Sequence, residues 1–239
     1  MIYTNGCSLT YGDELTDKTK AWPYLLAKKL NTEVLNDAVN GGTNYRTVYL
    51  STKNIKENYD LYIVAWTNCA RYTYYKSDNN FEINFNPQLN NSLCGNEKFY
   101  SQWGKDLYLH WHNELYAFKI WLQQIVQLQA TFEKFQKNYL MINTFSNNLD
   151  KWLASKDKFS SSVKNLINFD IMSDQQIFAE YEEIQYYISC IDTENFYQWN
   201  DFFITDLTNK FSTGPNGHIL DAGHEYVSDL LYQHIQCLK

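Results

Sequence analysis

The sequence feature that most constrains the fold is the nearly continuous apolar run from Tyr59 to Thr67. It contains β-branched residues, as in a strand of a parallel sheet that is covered on both faces. Strand and helix patterns then alternate along the chain. Further strands are predicted over residues 2–4, 33–39 and 139–145, and helices from residue 22 and over about 44–56, 115–132, 174–188 and 223–236. This alternation predicts an α/β fold, a three-layer α/β/α sandwich with a mostly parallel sheet.

The chain is long enough to form a single domain over residues 1–239. A hydrophobic content of 44% in 239 residues suffices for one sizeable core. Two segments, at about 72–112 and 149–190, interrupt the α/β pattern and are predicted to be insertions. The first is rich in asparagine and aromatic residues, and insertions of this length are typically lids, binding loops or disordered. Its aromatic rings could stack on sugars or form the core of an extra subdomain, and both interpretations stay open.

Charge and cysteine content exclude several classes of function. The formal net charge is −7, so the electrostatic attraction that drives non-specific phosphate binding is absent and no nucleic-acid partner is expected. The five cysteines are scattered without a CxxC pair, which predicts neither a zinc site nor a disulfide framework. His110 and His112 have the spacing of metal ligands on a strand, but no carboxylate or cysteine partner is evident. We therefore expect no metal and no cofactor.

The N-terminal sequence and the length of the apolar runs bear on localisation. The N-terminus lacks a basic start followed by an apolar run, and no apolar run is long enough to span a bilayer. These patterns predict a soluble protein without a signal peptide, either cytoplasmic or virion-associated.

The chain contains only two arginines but many lysines, asparagines and tyrosines. This composition hints at an AT-rich coding genome, such as that of a phage or a low-GC bacterium.

Three strands stop at residues that are suited to acyl chemistry. Ser8 follows the first strand after an Asn-Gly turn, Gly41 follows the second and Asn68 the third. The carboxyl ends of parallel strands share one edge of a sheet, so these residues are predicted to converge there. Each also has a purely structural alternative. Ser8 could be a helix N-cap with Asp13 or Glu14 in the next turn, Gly41 a loop turn and Asn68 a strand-end cap.

The same residues resemble the sequence blocks of a known family. G-C-S-L-T-Y-G, N-D-A-V-N-G-G-T and W-T-N-C are similar to the Ser, Gly and Asn blocks of the SGNH subgroup of GDSL-type serine esterases and acyl hydrolases. The resemblance implies an SGNH-hydrolase-like fold with flavodoxin-like strand order. It also implies that Ser8 is the nucleophile and that the Ser8 and Gly41 N–H groups and the Asn68 amide form an oxyanion hole. It covers roughly residues 1–75, 138–145 and 212–236.

Three positions in these blocks depart from the family pattern. Cys7 stands where the family has an aspartate, and Trp66 and Cys69 stand where its third block has glycine and aspartate. Cys7 also raises the alternative of a thiol nucleophile, although its side chain should point away from the serine side of the turn.

The resemblance allows two registers for the catalytic histidine. The literal family string DxxH occurs as Asp221 to His224, whereas the family's later Gly-His pair, which starts the closing helix, favours His218 as the base and His224 as the helix-start residue. We prefer His218. The His218 register lacks the family's acidic residue, because Pro215 stands three residues earlier, where the family has the carboxylate that orients the ring. Other candidates for that role are a backbone carbonyl, Asn216, Asp201 and Asp206.

These residues predict a serine hydrolase that cleaves an ester through an acyl-enzyme. O-acetylated or otherwise acylated carbohydrate is favoured over lipid because the first insertion is aromatic and polar. Arg71, three residues after Asn68, could hold a polar or anionic substrate group or pair with a surface acid. The alternative is a non-catalytic carbohydrate-binding or virion-associated component that keeps the fold with a degraded site, as the departures at Cys7, Trp66 and Pro215 suggest. The sequence leaves the oligomeric state open.

Overall fold

A computed structural model describes residues 1–76, 81–85, 103–164 and 173–238. Its centre is a five-stranded parallel sheet with the strand order β2-β1-β3-β6-β7, the flavodoxin-like order. A separate antiparallel hairpin is formed by β4 and β5. The strands are β1 (Ile2–Asn5), β2 (Val34–Asn36), β3 (Leu61–Trp66), β4 (Tyr72–Lys76), β5 (Phe81–Phe85), β6 (Tyr139–Asn143) and β7 (Phe196–Tyr197).

Helices cover both faces of the sheet. The α-helices whose two ends lie in the described residues are α1 (Ser8–Tyr11), α2 (Trp22–Lys29), α3 (Asn44–Lys53), α4 (Glu114–Lys134), α5 (Leu149–Trp152), α6 (Lys156–Lys164), α7 (Asp174–Ser189) and α8 (Asp221–Cys237). One apolar core lies between the sheet and helices α4 and α7. The other lies on the opposite face, under α2 and α8. The fold is therefore the predicted α/β/α sandwich.

Strand β3 shows why the apolar run was informative. Tyr62, Val64 and Trp66 belong to one core, and Ile63 and Ala65 belong to the other. All five are fully buried. A strand that is covered on both faces has no solvent side that would select polar residues, so its sequence reads as apolar throughout.

Two parts of the sheet structure were not predicted. The edge strand β7 has only two residues, and it pairs with β6 through Met141 and Ile142. The sequence analysis predicted no strand there, since two residues cannot show a period. The β4–β5 hairpin lies in the first insertion, where no regular pattern was found. The rest of that insertion, 77–80 and 86–102, and residues 165–172 of the second lie outside the described residues, and the single-domain organisation stays a prediction.

No helix in the part of the chain that the structure describes combines the length and apolar character needed to cross a membrane.

The chain leaves β1 through a tight turn that leads into α1. The Asn5 side chain accepts a hydrogen bond from the Gly6 N–H at 2.8 Å. A Cβ on Gly6 would lie 2.5 Å from Thr10 Oγ1 and 3.0 Å from the Ala65 side chain, so only glycine fits between the first helical turn and β3. This turn places Ser8 at the carboxyl edge of the sheet.

Candidate active site

Ser8 is the first residue of α1, and it is not the helix cap that the alternative interpretation proposed. Cys7 occupies the N-cap position. Among the described residues, neither the Ser8 N–H nor its hydroxyl has a hydrogen-bond partner. Cys7 is fully buried in the apolar core, with its sulfur 3.8 Å from Thr144 Oγ1. The serine therefore has both a free hydroxyl and a free N–H, whereas the thiol points into the core.

The Gly41-Gly42 loop packs directly on the turn before Ser8. Gly41 has a φ of 70°, in the left-handed region that favours glycine. A Cβ on Gly42 would lie 2.5 Å from the carbonyl oxygen of Gly6 and 3.2 Å from Cys7 Cα. The Gly41 N–H has no hydrogen-bond partner among the described residues. The loop thus brings an unused backbone donor close to the turn that carries Ser8.

Asn68 follows β3 and is oriented by its own loop. Its side-chain oxygen accepts a hydrogen bond from the Ala70 N–H at 2.8 Å. That contact assigns the oxygen to the loop and leaves the amide Nδ2, for which the described residues offer no acceptor, as a free donor.

Two buried asparagines hold the backbone on either side of Asn68. The Asn44 side chain accepts from the Thr67 N–H at 2.8 Å and donates to the Thr67 carbonyl at 3.1 Å. The Asn147 side chain accepts from the Cys69 N–H at 2.9 Å and donates to the same Thr67 carbonyl at 3.1 Å. Four hydrogen bonds to adjacent peptides restrict the position that the Asn68 amide can take.

His218 is held by Glu14, a residue that the sequence reasoning considered only as part of a helix turn. Nδ1 of His218 lies 2.8 Å from Glu14 Oε2, and the same oxygen accepts the His218 backbone N–H at 3.1 Å. The other carboxylate oxygen accepts the Asn216 N–H at 2.8 Å and its amide at 3.2 Å. The expected alternatives, Asp201, Asp206, Asn216 and a backbone carbonyl, do not orient the ring. Asn216 instead supports the carboxylate.

The environment keeps Glu14 ionised. Burial tends to raise the pKa of Glu14, but hydrogen bonds from the Asn216 N–H and from the ring and backbone of His218 outweigh it and lower the pKa below the usual value. An ionised carboxylate only accepts hydrogen bonds, so Nδ1 of His218 is the donor. Nε2 then carries the lone pair, and no described residue engages it. His218 therefore presents a basic nitrogen at the end of the ring away from Glu14.

Glu14 reaches the histidine because of the turn that ends α1. The Ser8 carbonyl accepts the N–H groups of Gly12 and Asp13, each at 2.9 Å. Glu14 itself has a φ of 64°, which a non-glycine residue adopts only at a cost of about 1–2 kcal/mol. Nucleophile candidate and carboxylate thus lie on one rigid turn, six residues apart.

Pro215 belongs to the tight turn that presents His218. The Gly217 N–H donates to the Gly214 carbonyl at 3.0 Å, and Gly217 has a φ of 81°. Proline suits the second position of such a turn because its φ is already correct. A Cβ on Gly214 would lie 2.6 to 2.8 Å from the Glu14 carboxylate atoms, so glycine is needed for the acid to approach. The position three before His218 therefore serves the turn, while the carboxylate comes from elsewhere.

The alternative pair, Asp221 and His224, is used differently. His224 is fully buried, and its Nδ1 accepts the Trp22 backbone N–H at 3.2 Å. Burial lowers the pKa of His224 to about 4. Asp221 forms an ion pair with Lys20 at the surface. His224 is thus enclosed between α8 and α2, where its hydrogen bond to Trp22 joins the two helices.

Arg71 lies beside the same edge and is only 5% exposed. Its Nη1 donates to the Gly42 carbonyl at 3.3 Å and to Thr67 Oγ1 at 3.0 Å. The ion pair with a surface acid, one of the two sequence alternatives, is not formed with any residue that the structure describes. His112 bonds Tyr72 through Nδ1 at 2.9 Å, and the described part of the chain contains no cluster of three potential metal ligands.

Sequence reasoning missed the supporting residues Glu14, Gly214, Asn44 and Asn147. For Asn44 and Gly214 the sequence did offer a signal, because Asn44 lies three residues after Gly41 and Gly214 directly precedes Pro215. Glu14 lies 204 residues from His218, and its role depends on a left-handed backbone that glutamate rarely adopts.

No protein-family model matches the sequence, and no curated protein sequence matches it. Solved structures do resemble this chain. A psychrotrophic esterase, EstA, from Pseudoalteromonas sp. has 10% identity and a TM-score of 0.48, with 99% of this chain and 97% of that chain covered. A lipolytic G-D-S-L family member from Veillonella parvula has 12% identity and a TM-score of 0.41, with 98% and 94% covered.

A carbohydrate esterase family 2 enzyme with a carbohydrate-binding domain, from Corynascus thermopiles (Myceliophthora fergusii), has 13% identity and a TM-score of 0.48. The match covers 99% of this chain and 65% of that one. Along nearly its whole length, this chain is thus similar to structures of GDSL and SGNH hydrolases, including esterases.

Proposed function

We propose that the protein is a serine hydrolase that cleaves an ester through an acyl-enzyme, with Ser8 as nucleophile and His218 as base. The observation that carries the proposal is the hydrogen bond between Glu14 and Nδ1 of His218, built on the turn that begins at Ser8. A histidine whose Nδ1 is held by a carboxylate and whose Nε2 is free has the tautomer that a general base requires.

In the first step, Ser8 Oγ attacks the ester carbonyl carbon while His218 Nε2 takes the hydroxyl proton. The tetrahedral oxyanion accepts hydrogen bonds from the Ser8 N–H, the Gly41 N–H and Nδ2 of Asn68, each of which has no partner among the described residues. Glu14 stabilises the positive charge on the imidazolium ring.

In the second step, the bond to the leaving alcohol breaks and His218 returns the proton to the alcohol oxygen. Water then attacks the acyl-enzyme with His218 again acting as base. The carboxylic acid leaves and Ser8 regains its proton. Each oxyanion donor is expected to contribute about 3–4 kcal/mol to the transition state, as single donors do in comparable sites.

For the substrate, we propose an acylated carbohydrate, as expected from the aromatic and polar first insertion. Tyr72, at the start of that insertion, stacks on Tyr45 of α3 with ring centroids 6.1 Å apart, and it contacts Tyr108 at 6.0 Å. Tyr72 follows Asn68 by four residues in the chain, and aromatic faces of this kind are surfaces that sugar rings pack against.

A fluorophosphonate probe tests the nucleophile. The folded parent protein should be labelled covalently and should hydrolyse short-chain nitrophenyl esters, and Ser8→Ala should abolish both. Cys7→Ala is the matched control, because its side chain is buried in the core and should not carry the label. Folded parent protein without labelling or turnover, yet binding acylated sugars, would instead support the non-catalytic alternative.

A further inference from the structure

Arg71 is a buried cation with an incomplete set of partners. Two of its five N–H donors are used, both from Nη1 and both toward neutral acceptors, the Gly42 carbonyl and the Thr67 hydroxyl. The ring of Phe145 lies 4.9 Å from the guanidinium carbon. Among the described residues, no carboxylate pairs with it.

Such a site is costly for the protein alone. Removing a guanidinium from water disfavours its charge, and neutral acceptors and an aromatic face offset only part of that cost. Buried charges in proteins are generally paired with an opposite charge. A buried arginine without a carboxylate partner therefore indicates that an anion joins it from outside the chain.

The unused donors define the shape of that anion. Nε and Nη2 lie on one edge of the guanidinium plane, where two parallel N–H groups match the two oxygens of a carboxylate. Nε is enclosed and unpaired. Nη2 also has no partner among the described residues, but unlike Nε it is not enclosed. A ligand oxygen that enters from solvent therefore reaches Nη2 before Nε.

The position of Arg71 relates this edge to the proposed oxyanion hole. Its Nη1 holds the carbonyl of Gly42, the residue after the Gly41 donor. Its backbone N–H donates to the carbonyl of Asn68 at 3.2 Å, which closes the turn that carries the third donor. Arg71 therefore bonds both loops that carry the proposed oxyanion donors Gly41 and Asn68.

We propose that Arg71 binds a carboxylate of the substrate, so that the enzyme acts on esters that carry a free carboxylate a few bonds from the reacting carbonyl. The kinetic consequence of this inference rests on the proposed function, whereas the binding of a carboxylate at Arg71 does not. The carboxylate belongs either to the acyl group, as in a succinyl-type ester, or to the alcohol, as in an ester of a hydroxy or sugar acid.

Binding is measured with Ser8→Ala protein, which cannot turn over the ligand. Titration calorimetry compares monomethyl succinate with dimethyl succinate, which has the same skeleton but no charge. We expect the charged ester to bind at least about tenfold more tightly, since a bidentate ion pair is lost in the neutral ligand. In Ser8→Ala/Arg71→Gln protein the ratio should fall to about one, and Arg71→Lys should restore only part of it because lysine lacks the fork.

Equal affinity of Ser8→Ala protein for the charged and neutral members of this pair, and also of the alcohol-side pair acetoxyacetate and methyl acetoxyacetate, would overturn the proposal. These comparisons need no change at Arg71, so they remain decisive even when Arg71→Gln does not fold. If the parent protein hydrolyses no ester but the Ser8→Ala protein still prefers the charged ligand, the proposed function fails and the carboxylate site stands.

Kinetics of the parent protein separate the two carboxylate sources. Monomethyl succinate against dimethyl succinate tests an acyl carboxylate, and acetoxyacetate against methyl acetoxyacetate tests a carboxylate on the alcohol. One of the two pairs should show a charged-to-neutral ratio of kcat/KM of roughly tenfold or more, which Arg71→Gln removes. A ratio near one in both pairs would contradict the kinetic part of the proposal.

Discussion

The carboxylate of Glu14 and the imidazole of His218 are joined at 2.8 Å although the two residues lie 204 positions apart in the chain. The same carboxylate accepts the backbone N–H groups of His218 and Asn216, so it holds both the ring and the loop that carries it. Glu14 has a left-handed backbone and sits on the turn that starts at Ser8. The orientation of the base is thereby coupled to the position of the serine.

Glu14→Gln should lower kcat for ester hydrolysis by about two to four orders of magnitude, because glutamine neither enforces the Nδ1–H tautomer nor stabilises the imidazolium. Fluorophosphonate labelling rates and steady-state kinetics measure the effect. Asp13→Asn is the matched control. Its Oδ2 lies 3.9 Å from the same nitrogen, too far for a hydrogen bond, so turnover should change by less than about threefold. Equal losses in the two variants would count against a specific role for Glu14.

Gly214→Ala should reduce turnover with little effect on stability. Its Cβ would meet the end of the flexible Glu14 side chain at 2.6 to 2.8 Å and displace the carboxylate from His218. Gly217→Ala provides the contrast, since its Cβ meets nothing within 4 Å but its φ of 81° makes alanine strained. It should cost about 1 kcal/mol in urea unfolding. In a Glu14→Gln background, Gly214→Ala should have almost no further effect on kcat, and an additive loss would argue for a different cause.

Asn68→Asp should lower kcat by at least about two to three orders of magnitude and leave KM comparatively unchanged, since it removes a donor that acts on the transition state. The aspartate keeps the oxygen that accepts the Ala70 N–H, so the loop should keep its conformation. Thermal unfolding within a few degrees of the parent checks that point. Retained turnover in folded Asn68→Asp protein would exclude Asn68 from the oxyanion hole.

His224 should make the protein less stable as the pH falls below about 6.5. Folding lowers the pKa of His224 from 6.5 to about 4 through burial, so between these pH values the unfolded chain binds a proton that the folded chain does not. The stability that depends on neutral His224 is complete above 6.5 and is lost as the pH falls toward 4, about 3 kcal/mol in total and about 2 kcal/mol by pH 5.

Urea unfolding at pH 7 and pH 5 measures this loss. In His224→Asn the side-chain oxygen can still accept the Trp22 N–H, but nothing titrates at that position. The variant should be less stable at pH 7 because a cavity remains, and it should lose about 2 kcal/mol less than the parent between the two pH values. The same pH dependence in both proteins would mean that the buried histidine is not its source.

The sheet was predictable to the extent that its strands carry local patterns. The run through β3 is apolar because both of its faces are buried, and the periodicity of α4 reflects one long packed face. β7 escaped prediction because its two residues are held by pairing with β6 and not by any pattern of their own. The hairpin of β4 and β5 escaped for a related reason, since its surroundings show no steady alternation.

The sequence by itself determined where the strands lie to within a few residues, and with that the placement of Ser8, Gly41 and Asn68 at one edge of a parallel sheet. Strand propensity and turn chemistry act over a few neighbouring residues, so they can be read locally. Only the tertiary structure decided what surrounds those residues. The carboxylate at His218, the enclosure of His224 and the unpaired state of Arg71 depend on contacts between segments far apart in the chain, which no local pattern encodes.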